Sequence, residues 1–288
     1  MSETLEHLND EFQLNEIKTQ LGEPYFETDN TLLYEGDCNQ IMSLVEQPIF
    51  DLAVTSPPYN IGKVYENTLP LSEYISWCEK WMSQIYDTVY SSGSFWLNVG
   101  YVNVTDKGKA VPLPYLLWDK SPFYMIQEVV WNYSAGVATK RSFSPRNEKF
   151  IWYVKDSSNY YFDLDPVRDP NVKYPNQKKN GKVKVNQLGK NPSDVWQIPK
   201  VTSGKNRASK ERTTHPAQFP SAVIERIIKS CCPKDGIVLD PFVGSGTSCV
   251  VAEQLGRKSV GIDLRSEYLD IAARRLQADR DDSEQSLF

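Results

Sequence analysis

Apolar residues in this chain come in short runs, and the spacing between them switches between two periods. Phe-Asp-Leu-Ala-Val at 50–54 and Ser-Phe-Trp-Leu-Asn-Val at 94–99 read as buried strands. Thr31–Tyr34 reads as a shorter strand ending at Gly36-Asp37, with a helix over Asn39–Val45. Leu71–Tyr90 sets Tyr74, Ile75, Trp81, Ile85 and Val89 near helical spacing, and Gly93 is expected to close that helix before the next strand. Phe123–Tyr133 and Lys149–Lys155 are rich in strand formers. Periodicity then fades between Asp156 and Arg212, where Asn, Lys, Pro and Gly accumulate. It returns at Pro220–Cys231, where Val223, Ile224, Ile227 and Ile228 mark a helix.

Beyond that helix the order is strand (Gly236–Leu239), Gly-rich turn, helix (Ser248–Leu255), strand (Ser259–Ile262), acidic residue and helix (Tyr268–Leu276). This is a βαβ unit of a doubly wound parallel sheet, which binds ligands at the carboxyl ends of its strands. The pattern divides the chain into a lead-in (1–30), a first half (31–155), an insertion (156–212), a second half (213–276) and a polar, frayed tail (277–288).

Length and charge refine this. A chain of 288 residues suits one large α/β domain carrying an insertion. No apolar run is long enough to cross a bilayer, and the acidic start lacks a signal peptide's regions. Five scattered cysteines and two histidines fit a reduced, cytoplasmic protein without a disulfide framework or metal site. The net charge is −5, yet Thr139–Arg212 holds 17 basic and 7 acidic residues, a local balance of +10. Within it, Lys178, Lys179, Lys182 and Lys184 are candidate phosphate contacts for a polyanion; a solvated lysine-rich loop is the plain alternative.

Two short stretches carry candidate chemistry. In Asp240-Pro-Phe-Val-Gly-Ser-Gly-Thr247, Gly244 and Gly246 let the backbone bend and approach a ligand. The turn is neither a P-loop nor Gly-x-Gly-x-x-Gly. Its opening Asp240, with Asp263 after the next strand, suits a ligand bearing an ammonium group, a sulfonium centre and ribose hydroxyls, as S-adenosylmethionine does. The second stretch is Thr55-Ser-Pro-Pro-Tyr-Asn60. An exocyclic base amine is a poor nucleophile because its lone pair is delocalised into the ring. The Ser56 hydroxyl and the Pro57 carbonyl, held by two prolines of fixed φ, supply acceptors that can grip such an amine. Tyr59 offers a ring for a base to stack on, and a base in a duplex must be flipped out to reach it. No Pro-Cys dipeptide is present for attack on a cytosine ring carbon.

With both motifs in this order, the chain resembles the β-class amino-group DNA methyltransferases, in which the catalytic motif precedes the cofactor motif. Thr55–Asn60 resembles the catalytic tetrapeptide with its flanks, Asp240–Thr247 the cofactor motif, and Gly36-Asp37 an acidic contact near the cofactor adenine. His215-Pro-Ala-Gln-Phe-Pro220 resembles the segment over the methionine portion, and the whole likeness spans roughly residues 31–276.

The resemblance implies a methyltransferase fold with a seven-stranded mixed sheet and a small target-recognition insertion. It implies S-adenosylmethionine as cofactor, with Asp37, Thr55, Asp240, Phe242, Gly244, Ser245, Gly246, Thr247 and Asp263 as binding residues. Ser56, Pro57, Pro58 and Tyr59 become the catalytic residues. Double-stranded DNA becomes the substrate, with a homodimer and a cognate restriction endonuclease as further partners. Ser-Pro-Pro-Tyr and Phe219 point to cytosine N4 as the target. The alternatives are adenine N6, a DNA-binding module with a vestigial pocket, and methylation of RNA or a glutamine side chain. His215 reads as structural or cofactor-adjacent, Asn60 as a pocket or turn residue, His7 as solvated, and Trp131, Trp152 and Trp196 as core.

Overall fold

A computed structural model describes residues 13–63, 66–133, 136, 138–201, 209 and 211–285. His7 lies outside them. A nine-stranded mixed sheet runs through the molecule. From one edge it is built of β1 (Phe26–Glu27), β2 (Thr31–Glu35), β13 (Lys258–Asp263), β12 (Ile237–Asp240), β3 (Phe50–Thr55), β4 (Val89–Val99), β8 (Asn147–Val154), β7 (Tyr124–Asn132) and β11 (Val195–Gln197). The seven expected strands form its body, and the very short β1 and β11 extend its two edges. The five strands from β2 to β4 are parallel. β8 then runs antiparallel between β4 and β7.

Helices cover both faces, as central parallel strands require. One face carries a helix through residues 13–21 (α1), α2 (Cys38–Met42), α3 (Leu71–Thr88) and α4 (Pro114–Leu117). In α3, Tyr74, Cys78, Trp81, Met82 and Ile85 fall on one stripe and are buried against Ala53, Phe95 and Leu97. The other face carries α5 (Ser221–Cys231), α6 (Thr247–Gln254) and α7 (Ser266–Gln285). There Val223, Ile224, Ile227 and Ile228 meet Val238 of β12 and Leu52 and Val54 of β3, which alternate with Ala53.

Strand order reverses between β12 and β3: α6 leads from β12 toward β13, and α3 leads from β3 toward β4 on the other side. The carboxyl ends of β12 and β3 therefore flank a topological switch point, the crevice such sheets offer to ligands.

Three expectations change. Gly93 does not separate helix from strand: α3 ends at Thr88, and β4 already begins at Val89. The pairing of β3 with β4 is irregular between Phe50 and Leu52, and a Cβ on Gly93 would stand 2.8 Å from the Asp51 carbonyl oxygen and 2.4 Å from Val89 Cγ1. Glycine is there for that close approach. The tail is helical through Gln285 instead of fraying after Leu276. The segment after Asp156 is more firmly held than its composition suggests. Its start is tied by the Tyr161 N–H to the Ser92 carbonyl and the Asp163 N–H to the Ser230 carbonyl. Its β11 joins the sheet beside β7, and Trp196 stacks on Trp96 at 5.7 Å. Within it, β9 (Lys178–Lys179) and β10 (Lys182–Val183) form an exposed two-stranded hairpin. A second hairpin, β5 (Tyr101–Val104) and β6 (Gly108–Pro112), had no counterpart in the sequence reading.

Gly93→Ala should destabilise the fold by roughly 1–3 kcal/mol through overpacking, read as a lower urea midpoint at unchanged slope. An unchanged midpoint would show that the strand can yield at this point.

Candidate active site

β3 and β12 end side by side, and their last residues are bonded to each other. The Thr55 hydroxyl donates to Asp240 Oδ1 at 2.6 Å, joining two motifs 185 positions apart. The Asp240 carboxylate also accepts the Ser248 hydroxyl from the first turn of α6 and the Phe242 N–H from the Gly-rich turn. It is 1% exposed. Burial pushes its carboxyl up to about 6, opposed by these three hydrogen bonds.

The turn that follows is fixed from three sides. The Val243 N–H donates to the Ile262 carbonyl, and the Gly244 N–H donates to Asp263 Oδ2 at 2.9 Å. From α7, Arg275 donates to the Ser245 carbonyl at 2.6 Å and to the Thr247 hydroxyl at 2.9 Å. Gly244 adopts φ +50°, and a Cβ there would lie 2.9 Å from His215 Nε2. Gly246 adopts φ +76°, and its Cβ would collide with Ala272 of α7. Both glycines are therefore demanded by backbone conformation and by space.

A cavity of about 760 Å³ opens above this platform. Pro241–Ser245, Asp263, Gly36 and Asp37 line one end, and Ser56–Tyr59, Asn98, Glu148 and Lys200 line the other. The Gly36 N–H donates to the Asp263 carbonyl, which sets the two acidic residues Asp37 and Asp263 beside each other. Asp37 caps α2 by accepting the Asn39 and Gln40 N–H groups. Phe242 rests edge-on against Trp77 at 5.5 Å and Trp81 at 5.3 Å. His215 Nδ1 lies 2.6 Å from the Ala217 carbonyl oxygen, and its ring meets Tyr268 edge-on at 4.4 Å. Burial lowers its pKa, so the ring is a wall at neutral pH more than a charge.

At the other end, hydroxyls converge on Asn98 near the end of β4. Tyr59 Oη donates to Asn98 Oδ1 at 2.9 Å, Ser56 Oγ does so at 3.3 Å, and the two hydroxyls lie 3.1 Å apart. Asn98 is aimed by its own Nδ2, which donates to the Lys149 carbonyl. Behind it, Glu148 accepts from Lys200 at 2.7 Å and from Tyr133 at 3.2 Å, and its Oε2 lies 3.4 Å from Tyr59 Oη. Lys200 Nζ also sits 3.8 Å from the centre of the Tyr133 ring.

The expected residues thus divide. Ser56, Pro57, Pro58, Tyr59, Asp37, Phe242, Gly244, Ser245 and Asp263 all line this one cavity. Thr55, Asp240, Gly246 and Thr247 do not line it; all four are buried beneath it and act as its frame. Asp240 in particular has its carboxylate engaged by three protein donors, beneath the lining rather than in it. Lys178, Lys179, Lys182 and Lys184 are exposed and away from the cavity lining. Asn60, at φ +62°, binds both the N–H and the carbonyl of Leu69, so it closes a loop. Trp131, Trp152 and Trp196 are buried, although Trp131 also reaches the cavity wall. Asn98, Glu148, Tyr133 and Lys200 were not anticipated. Only Asn98 had a visible signal, a lone amide in the apolar run Phe-Trp-Leu-Asn-Val.

Comparison with known proteins shows the family. A family model described as DNA methylase, for N6 and N4 enzymes, matches residues 50–274. The chain belongs to this DNA methylase family. It is 67% identical over 276 residues to the Type II methyltransferase M.ScaI of Streptomyces caespitosus, covering 96% of this chain and 90% of that one. Over 260 residues it is 36% identical to the Type II methyltransferase M.BglII of Bacillus subtilis, covering 87% of this chain and 70% of that one. Among solved structures, PvuII DNA methyltransferase (cytosine-N4-specific) superposes with a TM-score of 0.69 at 22% identity, covering 88% of each chain.

The protein is accordingly a DNA methyltransferase, with DNA as substrate and S-adenosylmethionine as methyl donor. The cavity fits that cofactor in kind. A turn bare of side chains at Gly244, the acidic residues Asp37 and Asp263 in the lining and apolar surfaces at Phe242 and Trp77 suit a ligand with hydroxyl, ammonium and aromatic parts. No helix among the described residues is long and apolar enough to cross a membrane.

The buried carboxyl gives a pH signature. Unfolded aspartate ionises near 3.8, whereas folded Asp240 does so near 6, so between these values the folded state keeps a proton the unfolded chain has released. This group's contribution to stability therefore falls as pH rises across that window. Asp240→Asn should abolish that slope, seen as a stability difference from the unaltered protein that changes between pH 4 and 7. A difference independent of pH would show that Asp240 ionises normally.

Proposed function

We propose that this methylase transfers the methyl group to the N4 amine of cytosine in a flipped-out nucleotide, with Ser56, Pro57, Pro58 and Tyr59 as the catalytic residues. The observation that carries the proposal is the joint lining of one cavity by Ser56–Tyr59 and by the Gly244 turn. Asn98 Oδ1 takes the hydroxyl protons of Tyr59 and Ser56, which leaves lone pairs on Ser56 Oγ to accept an amine N–H. The Pro57 carbonyl is the second acceptor, and its direction is set by the rigid Pro57-Pro58 turn. Two acceptors on one NH₂ group draw its hydrogens out of the ring plane and return electron density to nitrogen. Tyr59, steadied through its hydroxyl by Asn98 and Glu148, is the surface for the base. When bound, S-adenosylmethionine supplies an electrophilic methyl on a sulfonium centre. Asp37, Phe242, Gly244, Ser245 and Asp263 would hold it from the cavity wall, while Thr55, Asp240, Gly246 and Thr247 keep that wall in shape. No strong base is needed, because the amine proton becomes acidic once the methyl has bonded.

Cytosine is favoured by serine at the head of the tetrapeptide and by the likeness to a cytosine-N4-specific enzyme. Adenine N6 is the second reading, since a relative 30% identical over 255 residues is named DNA adenine methyltransferase YhdJ, from Escherichia coli. The Type II names of its relatives support a place in a restriction-modification system, with a cognate endonuclease and a cytoplasmic setting. Family resemblance is what supports a homodimer. The lysine-bearing β9–β10 hairpin and the rest of 156–212 serve target recognition in this reading, with Lys178, Lys179, Lys182 and Lys184 on phosphates.

Nucleoside analysis of DNA from cells expressing the protein should yield N4-methylcytosine, and sequencing should locate it at a single site. N6-methyladenine as the sole product contradicts the proposal. Ser56→Ala should lower turnover by roughly two orders of magnitude while the cofactor dissociation constant stays within about threefold. Unchanged turnover removes Ser56 from the chemistry.

A further inference from the structure

The connection between β7 and β8 carries an exposed aromatic tip. β7 runs parallel to β11, and through β8 it is parallel to β4, so its carboxyl end lies on the same sheet edge as Thr55 and Asp240. The connection from β7 to β8 leaves from that edge. Its neck is closed by the Tyr133 N–H donating to the Arg146 carbonyl at 2.8 Å. Residues at the neck, Tyr133, Pro145, Asn147 and Glu148, line the cavity. Beyond it, residues 138–143 are exposed. The tip is a self-bonded turn: the Thr139 hydroxyl donates to the Ser142 carbonyl, and the Thr139 N–H donates to Ser144 Oγ at 3.2 Å. On that turn Phe143 is 101% exposed, the most exposed large apolar side chain described. Residues 134–146 contain Lys140, Arg141 and Arg146 and no acidic residue.

An exposed aromatic ring on a turn that also bears Lys140 and Arg141, two residues from Pro145 in the lining of a cavity proposed to take a flipped base, matches one need of that reaction. Flipping leaves an unstacked gap in the duplex, and a ring can fill it whatever the neighbouring bases are. Cations beside it can hold the flanking phosphates. We propose that Phe143 enters the duplex in place of the departing nucleotide, with Lys140 and Arg141 on the backbone beside it. The proposal rests on the base-flipping reading of the cavity.

The test compares two duplexes bearing the site located by sequencing, one with the target normally paired and one with it opposite an abasic position. An abasic partner removes the pairing that flipping must break. Phe143→Ala should lower kcat/KM on the paired duplex by roughly tenfold or more, but by no more than about threefold on the abasic one. Phe143→Trp should retain activity on both, and cofactor affinity should be unaltered in both variants. Equal losses on the two duplexes, or no loss on the paired one, overturn the role of Phe143 while leaving the cavity reading intact. Unaltered protein that binds the abasic duplex no tighter than the paired one contradicts base flipping, and the proposal with it.

Discussion

One buried carboxylate holds this site together. Asp240 ends β12, and its two oxygens take donors from the end of β3, from the Gly-rich turn and from α6. An ionised carboxylate at that depth is costly unless its lone pairs are met, and burial indeed raises its pKa. The three donors make the position tolerable, and they also set the geometry. Thr55 cannot move away from β12, nor Phe242 from its turn, without leaving a buried polar group unpaired. The two ends of the cavity thus share a common floor.

The shapes of both ends of the cavity follow from that floor. Ser56 and Tyr59 come directly after Thr55, and their hydroxyls are gathered by Asn98 on the adjacent strand. On the other side, Gly244 is pressed against His215 and tied to Asp263. Glu148 and Lys200 add a charged pair behind Tyr59, and Lys200 brings the inserted segment into contact with the site. The inserted segment and the cavity are therefore joined physically through an ion pair, although the lysine-rich hairpin itself lies away from the cavity lining.

Local pattern revealed the sheet's seven main strands, the amphipathic stripes of α3 and α5, and both motifs, because each depends on residues close in sequence. Contacts made across the fold were not legible. Asp240 and Asp263 look alike as acids flanking a βαβ unit, yet one is sealed under the floor and the other faces the cavity. Gly93 looked like a helix stop because its need for space is set by the Asp51 carbonyl on another strand. Glu148 and Lys200 carry no local signal, since a charge 52 residues from its partner reads as surface until the chain folds. The long α7 lacks a clear apolar period past Leu276, yet its Arg275 supports the Gly-rich turn.

The central claim is that the bond between Thr55 and Asp240 makes the two ends of the cavity act as one. A double-mutant cycle with Thr55→Val and Asp240→Asn, read in kcat/KM for methyl transfer to DNA, tests it most directly. If the bond does this, the double variant is little worse than the worse single one, with a coupling of about 1–2 kcal/mol. Losses that simply add would mean that the Ser56–Tyr59 turn and the Gly-rich turn are held independently, and would contradict the account.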